Sequence, residues 1–262
     1  MAHDVFSHPL FMYLALLVWG GMLVESLWLL YRHRLAFAWN EQAANLFILI
    51  VGGALRISMR GVFLLVFVAL SAFAPMHWEN NALSAVLCFL GVDLIFYAWH
   101  RFLHHHPFGF ALHSVHHSGH TFSLSLAGRL PWPLRLVDDF VCLPLVLIGF
   151  DPLLVFLCMG VSFAAQYLVH TDVIGRLGPL DWIFNTPSNH RVHHHAVGPG
   201  QQRNFGAALM IWDRLFGTYQ REEGPQPFGI ADVPASTNPF EIQWQGFKRF
   251  FVERERERAA SR

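Results

Sequence analysis

Eight histidines fall at three regular spacings: His100 and His104; His113, His116 and His117; His190, His193 and His194. On a helix, residues three and four apart share a face. Each set therefore lines up two or three imidazoles in a stripe. Neutral imidazole is the commonest metal ligand and suits iron, zinc and copper. Eight imidazoles exceed what a single four- to six-coordinate ion takes, so two ions is the natural count. A lone histidine on an apolar face is ordinarily a satisfied core or surface residue, and one HxxxH arises by chance. HxxxH, HxxHH and HxxHH together point to a dimetal site instead.

The elements that must position these stripes are apolar. Hydrophobic residues make up 54% of the 262-residue chain and charged ones 14%, with 25 Phe and 9 Trp. That composition fits an integral membrane protein of one domain, or two at most. Lys+Arg and Asp+Glu balance at 18 each, so no net field points to nucleic acid. Cys88, Cys142 and Cys158 sit inside apolar runs and read as small core hydrophobes. There is no CxxC pair, and three thiols are too few for an iron–sulfur cluster that needs four. The start, MAHDVFSH, lacks a basic region and a cleavage site, so no signal peptide is expected.

Residues 9–30 are long enough to span a bilayer, and the basic YRHR at 31–34 marks their cytoplasmic flank. The stretch 43–74 is apolar but holds Arg56 and Arg60, with Gly52 and Gly53 as a candidate break. Whether it crosses once or twice is open at this level. Residues 81–103 form the next span and lead into the histidines. Residues 138–149 and 151–170 are two further apolar segments, separated by the turn signal GFDP and read as a hairpin dipping into the membrane. The terminal RERERERAASR reads as a solvated helix end or tail. The expected fold is all-α: an integral membrane helical bundle with a cytoplasmic histidine-rich helical cap holding a dimetal site. Within one domain, 1–80 would be N-terminal spans, 81–235 the catalytic core and 236–262 a tail.

Helical phase adds one acidic candidate. Asp93, Tyr97, His100 and His104 share a face, so Asp93 is expected to accept the distal N–H of a ligating histidine and fix its tautomer. Carboxylates inside a span are rare, which favours this role over simple helix packing. Asp172 and Asp181 are weaker candidates, and Asp213 reads as a structural ion pair or cap.

The three histidine patterns, with DLIFYAWHR at 93–101, QYLVHTD at 166–172, FNTPSNHRVHHH at 184–195 and NFGAALMIWDRLFGTY at 204–219, resemble the fatty acid hydroxylase/sterol desaturase superfamily of membrane di-iron enzymes. The likeness covers roughly 80–235. HTDVIGRLGPLDWIFNTPSNHRVHH is most similar to the alkylglycerol monooxygenase-like branch. The resemblance implies His100, His104, His113, His116, His117, His170, His190, His193 and His194 as iron ligands. His170 enters on that ground alone. Gln166, one turn earlier, would then hydrogen-bond near the site or sit close to a metal. His105, His106, His120 and His195 read as bystanders, with a register ambiguity between His104 and His105. The chain departs from that branch at Ser123-Leu124-Ser125 in place of Asn-Leu-Ser. It departs again at His195-Ala196-Val197 in place of Gly-Arg-Asn, and at Gln202 in place of an acidic residue.

The implied chemistry is oxidation of an unactivated C–H bond in a lipid. Such a bond offers no acidic proton, so a dioxygen-activating metal is required. The expected cofactors are two Fe ions, with Zn as a substitute on purification, and dioxygen. Electrons would come from a separate reductase or a reduced pterin, since no GxGxxG or iron–sulfur ligand set is present. The expected location is a bacterial inner membrane with the site on the cytoplasmic side, and the partners are lipid, membrane and an electron donor, not nucleic acid. A desaturase on the same scaffold is one alternative, and a non-enzymatic histidine-rich metal transporter or sensor another.

Overall fold

The computed structural model describes residues 8–32, 38–196, 200–230 and 233–260, without the side chains of 201 and 253–260. Residues 1–7, His33, Arg34, Val197 and the side chains of the Arg-Glu tail therefore lie outside the described residues. Three long apolar helices come first: α1 (Pro9–Arg32), α2 (Trp39–Ser71) and α3 (Ala82–His105). Each is long and apolar enough to cross a membrane. The short α4 (Pro107–His117), α5 (Leu143–Leu147), α6 (Pro152–Leu168), α7 (Pro187–His193), α8 (Ile211–Leu215) and the longer α9 (Pro239–Ala260) follow. No strand occurs among the described residues, only the isolated bridges Phe184–Leu209 and His195–Phe228.

The outward faces of α1 and α2 carry Leu16, Leu17, Leu23, Leu27, Ile50, Ile57 and Leu65, all exposed. In a bilayer this is the lipid face, where exposure of apolar side chains carries no penalty. The inward core joins Phe63 and Phe67 of α2, Val92 and Phe96 of α3, and Phe156 and Met159 of α6.

The stretch 43–74 is one unbroken helix. At 33 residues α2 runs for about 50 Å. Gly52 does not break it; the arginine stem of Arg135 packs against Gly52, where a Cβ would meet Arg135 Cγ at 3.4 Å. The polar residues of α2 form a ladder beside the irregular chain between α4 and α5. Glu41 accepts from the His120 N–H at 2.7 Å and from the Thr121 hydroxyl at 2.7 Å. Asn45 donates to Ser125 Oγ at 3.0 Å, and Arg56 pairs with both oxygens of Asp139, at 3.1 and 2.7 Å. Irregular backbone is tolerated at membrane depth only where protein groups satisfy it, and this ladder supplies several of them. Of the hairpin expected over 138–170, the first limb is a 3-10 turn (Asp138–Cys142) and α5, packed on α2, and the second is α6.

Local signals set the helix ends. Asn81 and Ser84 form a reciprocal capping box at the start of α3. Asp151 caps α6 by accepting from Leu154 N, with Pro152 as its first residue. His106 and Pro107 end α3 and begin α4, and the two helices approach so closely that a Cβ on Gly109 would lie 2.9 Å from Leu103 Cα.

The stretch read as a tail is corrected. Nearly all of it forms α9, whose first half packs along α4 and α2. Ile242 is fully buried with Ala44, Ile48 and Val115. Gly246 lies against α4 where a Cβ would come within 1.9 Å of the Ala111 carbonyl oxygen. Trp132 N donates to Gln243 at 2.9 Å. These docking contacts come from the start of the helix.

Candidate dimetal centre

Four elements deliver nine imidazoles to one place. α3 brings His100 and His104; α4 brings His113, His116 and His117; the end of α6 brings His170; α7 brings His190, His193 and, at its cap, His194. They separate into two groups. His100, His104, His113, His117 and His193 form one, and His116, His170, His190 and His194 the other. Within each group the candidate ligand nitrogens lie within 4.8 Å of one another. Helical phase makes the division. In α4 the i and i+4 residues, His113 and His117, serve the first group and the i+3 residue, His116, turns to the second. In α7 the assignment is reversed: His190 and His194 serve the second group and His193 the first.

The hydrogen-bond inventory fits two cations. The Nδ1–H of His100 donates to the Phe205 carbonyl at 3.0 Å, that of His193 to Arg203 O at 2.8 Å, and that of His170 to Gln166 O at 2.6 Å. A carbonyl only accepts, so these contacts place the proton on Nδ1 and leave Nε2 as a bare lone pair. His170 Nε2 nevertheless lies 3.0 Å from His116 Nε2 and 2.9 Å from His190 Nε2. His190 Nε2 is in turn 3.2 Å from His194 Nε2. Both nitrogens of His104 and His117, and His193 Nε2, are buried without a hydrogen-bond partner. Buried unpaired acceptors cost about 1–3 kcal/mol each, and convergent lone pairs repel. Cations between them remove both penalties. Burial pushes His170 down to about 3, and holds His113, His116, His117, His190, His193 and His194 well below the usual imidazole range. All stay neutral near pH 7, the form that binds metal.

Two buried carboxylates clamp the loop that orients this first group. Asp93 accepts from Ala208 N at 2.8 Å, Leu209 N at 3.2 Å and Trp212 Nε1 at 2.9 Å. Asp213 accepts from Phe205 N at 2.8 Å and Gly206 N at 2.7 Å. The same loop offers the Arg203 and Phe205 carbonyls to His193 and His100. The expectation for Asp93 is therefore corrected: it bonds no histidine and instead holds the segment that follows the Phe205 carbonyl. Its carboxylate reaches across to 208–212 because α3 packs against that segment. Gln166 hydrogen-bonds beside the site, as one of its two expected roles has it, but through the backbone. Its backbone carbonyl holds His170, while its side-chain amide turns back to Ser162.

His104 belongs to the first group and His105 is exposed, so the geometry selects the former register. His106 and His120 are exposed; His195 is buried but stands in a bridge to Phe228, outside both groups. Asp172 is exposed beside Arg191 at 3.8 Å, and Asp181 accepts from Thr186 and Leu177 N. Sequence reasoning missed Phe122 and Phe205. Phe205 packs on His100, His104 and His193, and Phe122 on His170, His190 and His194. Phe110 adds to the wall of the first group, beside His104 and His117. The only sequence signal was the Asn204-Phe205-Gly206 run, whose Asn204 adopts a left-handed φ of 55° to make the turn.

A cavity of about 230 Å³ opens on the histidines. His100, His113, His116, His170 and His190 line one part, and Phe96, Leu103, Leu134 and Phe163 are among its apolar walls.

Residues 85–218, just over half of the sequence, match the family model for fatty acid hydroxylase. The chain belongs to the fatty acid hydroxylase family. It is 34% identical to alkylglycerol monooxygenase of Xenopus tropicalis over 61% of its own length and 35% of that protein's. Against the Homo sapiens alkylglycerol monooxygenase the figures are 33%, 65% and 37%. It is 36% identical to the ornithine lipid hydroxylase OlsE of Rhizobium tropici, over 61% of this chain and 48% of that protein. The aligned stretch therefore spans about a third to a half of these relatives. No solved structure matches.

Family membership explains the histidine spacing; the loops that depart from the alkylglycerol branch serve packing here. Ser123 and Ser125 bind Gln42, and Ser125 also Asn45. Ala196 N donates to Pro227 O at 2.7 Å, and Gln202 Nε2 to His104 O at 3.4 Å. None of these residues lines the cavity.

Proposed function

We propose that the protein is a membrane lipid oxygenase that hydroxylates an unactivated C–H bond of an alkyl, acyl, sterol-like or ether-linked chain. It would use dioxygen and electrons supplied from outside. The observation that carries this reading is the apolar cavity ending on two convergent imidazole groups. The names of the relatives, monooxygenase and lipid hydroxylase, support it. His100, His104, His113, His117 and His193 would hold one iron, and His116, His170, His190 and His194 the other. Iron bound there supplies dioxygen activation, which a C–H bond without a polar handle requires. The chain's own residues do the rest. Phe96, Leu103 and Phe163 align the lipid chain and exclude water. The carbonyls of Gln166, Arg203 and Phe205 fix imidazole tautomers, with Asp93 positioning the last two through their loop. A reductase or reduced pterin is the proposed electron partner.

The α1 end that carries Arg32, the start of α2 at Glu41 and the end of α3 at His105 lie on the side of the histidine cap, as the Glu41 contacts require. Basic flanks favour the cytoplasmic side, so the site would face the cytoplasm, in a bacterial inner membrane.

The test joins metal analysis with lipidomics of membranes made with and without the protein. Two tightly held irons, dioxygen consumption and one lipid class that gains an oxygen atom are expected. Loss of two hydrogens instead would make it a desaturase. One exchangeable zinc with metal transport would overturn the enzyme reading.

A further inference from the structure

The cavity has a second, polar pole that the oxygenase reading does not use. Arg56, Arg135 and Asp138 line it together with Trp99. Its place relative to the histidines follows from α6. The Arg56 guanidinium lies 4.3 Å from the Phe163 ring, and Phe163 precedes His170 by seven residues, about 10 Å along the helix axis. Arg56 therefore marks the far end of the pole, at the depth of the middle of α2, while Asp138, bonded to Trp99 beside His100, marks its near end.

The groups there are not equally satisfied. Arg56 has its charge met by a two-point pair with Asp139. Arg135 is 8% exposed, yet among the described residues its guanidinium has neither a side-chain hydrogen bond nor an ion pair. Its stem is held by Gly52 and its head faces the cavity. Asp138 accepts from Trp99 Nε1 at 3.1 Å through one oxygen, and its second oxygen has no described donor. Burial pushes the Asp138 carboxyl up to about 6 against the opposing charge of nearby Arg135, and the two make no direct pair. An unpaired guanidinium and a half-used carboxylate at membrane depth are costly, and such groups mark a ligand path.

The charges select the ligand. Two guanidinium groups face two carboxylates, so the pole is balanced. A phosphate or free carboxylate would bring a third negative charge beside Asp138. A hydroxyl accepts from a guanidinium and donates to a carboxylate, and so completes both.

Resting on the oxygenase reading for the role of the cavity, we infer that Arg135 and Asp138 form a polar subsite that grips a hydroxyl of a neutral lipid while its chain extends to the histidines. Arg135 supplies donors, Asp138 the acceptor, and the Arg56–Asp139 pair a fixed neutral wall. The subsite sets which lipids enter and which carbon reaches the imidazoles. Both are positioning residues and touch no reacting atom.

Equilibrium binding tests this without turnover. Radiolabelled hexadecanol, hexadecanoic acid and hexadecyl phosphate are offered to the purified full chain in detergent, with metal content measured in parallel. The alcohol should bind more tightly than either anion. Arg135→Met and Asp138→Asn should each weaken it about tenfold and erase the preference, with bound metal unchanged; Arg135→Lys should keep part of it. Wild-type alcohol binding by both variants, or a wild-type preference for the acid or phosphate, would overturn the subsite. If Arg135→Met fails to fold, Asp138→Asn decides alone. Alcohol binding that depends on these residues in a protein that oxidises no lipid would leave the subsite standing and remove the oxygenase reading.

Discussion

Asp93→Asn perturbs the clamp with almost no change of shape. Asp93 is fully buried and its two oxygens receive three N–H donors from 208–212, at 2.8, 3.2 and 2.9 Å. Asn retains one oxygen. Its best orientation keeps Leu209 N and Trp212 Nε1 and turns an amide N–H₂ toward Ala208 N. One buried donor is then unsatisfied, and the remaining bonds lose their charge assistance. Together these cost about 2–3 kcal/mol. The loop carries the Phe205 and Arg203 carbonyls that hold His100 and His193, so part of the cost falls on the first imidazole group. If all of it were expressed there, metal retention would fall about 30–150-fold, overlapping the roughly 10–100-fold seen when outer partners of ligands are removed. The assay is metal remaining per protein after timed exposure to a chelator, with the rate per metal and a thermal melt on the same samples. Faster metal loss with a modestly lowered melt is expected. Asp213→Asn, which loosens the same loop at 205–206, should act in the same direction. A lowered melt with wild-type metal retention would refute the link from Asp93 through the loop to His100.

His113→Ala, His117→Ala or His193→Ala should abolish lipid oxidation and reduce bound metal, whereas His105→Ala and His195→Ala should leave metal content near wild type; dead His105→Ala beside active His104→Ala would reverse the register. Arg56→Met should cost about 3–5 kcal/mol because it strands Asp139 in a buried setting, read as a lower melting temperature; the double variant Arg56→Met/Asp139→Leu should recover most of it. Acid should unfold the metal-free protein. Seven histidines outside the three long helices have folded pKa values below the unfolded 6.5, so above pH 6.5 neither state takes a proton and stability is flat. As pH falls below that, only the unfolded chain protonates, and each group removes about 1.4 kcal/mol per pH unit. A melt of the metal-stripped protein that is unchanged from pH 7 to 5 would contradict this.

Several features were legible from spacing because they depend on one helix at a time. The histidine stripes and the apolar lengths of α1 and α3 are properties of a single helical axis. Burial of Cys88, Cys142 and Cys158 followed from their apolar neighbours in the same way. Spacing gives the phase of a residue around its own helix but not what stands opposite. Hence Asp93 was correctly placed on the face of His100, while its partners, Ala208, Leu209 and Trp212, were decided by how α3 packs on a loop more than a hundred residues away. The same limit hid the division of each HxxHH between two groups, since the facing directions of α4 and α7 exist only once both are docked. It also hid α2, where Gly52, Gly53 and Arg56 read locally as a break and a misplaced charge. Arg135 packs on Gly52 and Asp139 pairs with Arg56 from outside the helix, and only tertiary structure brings them there.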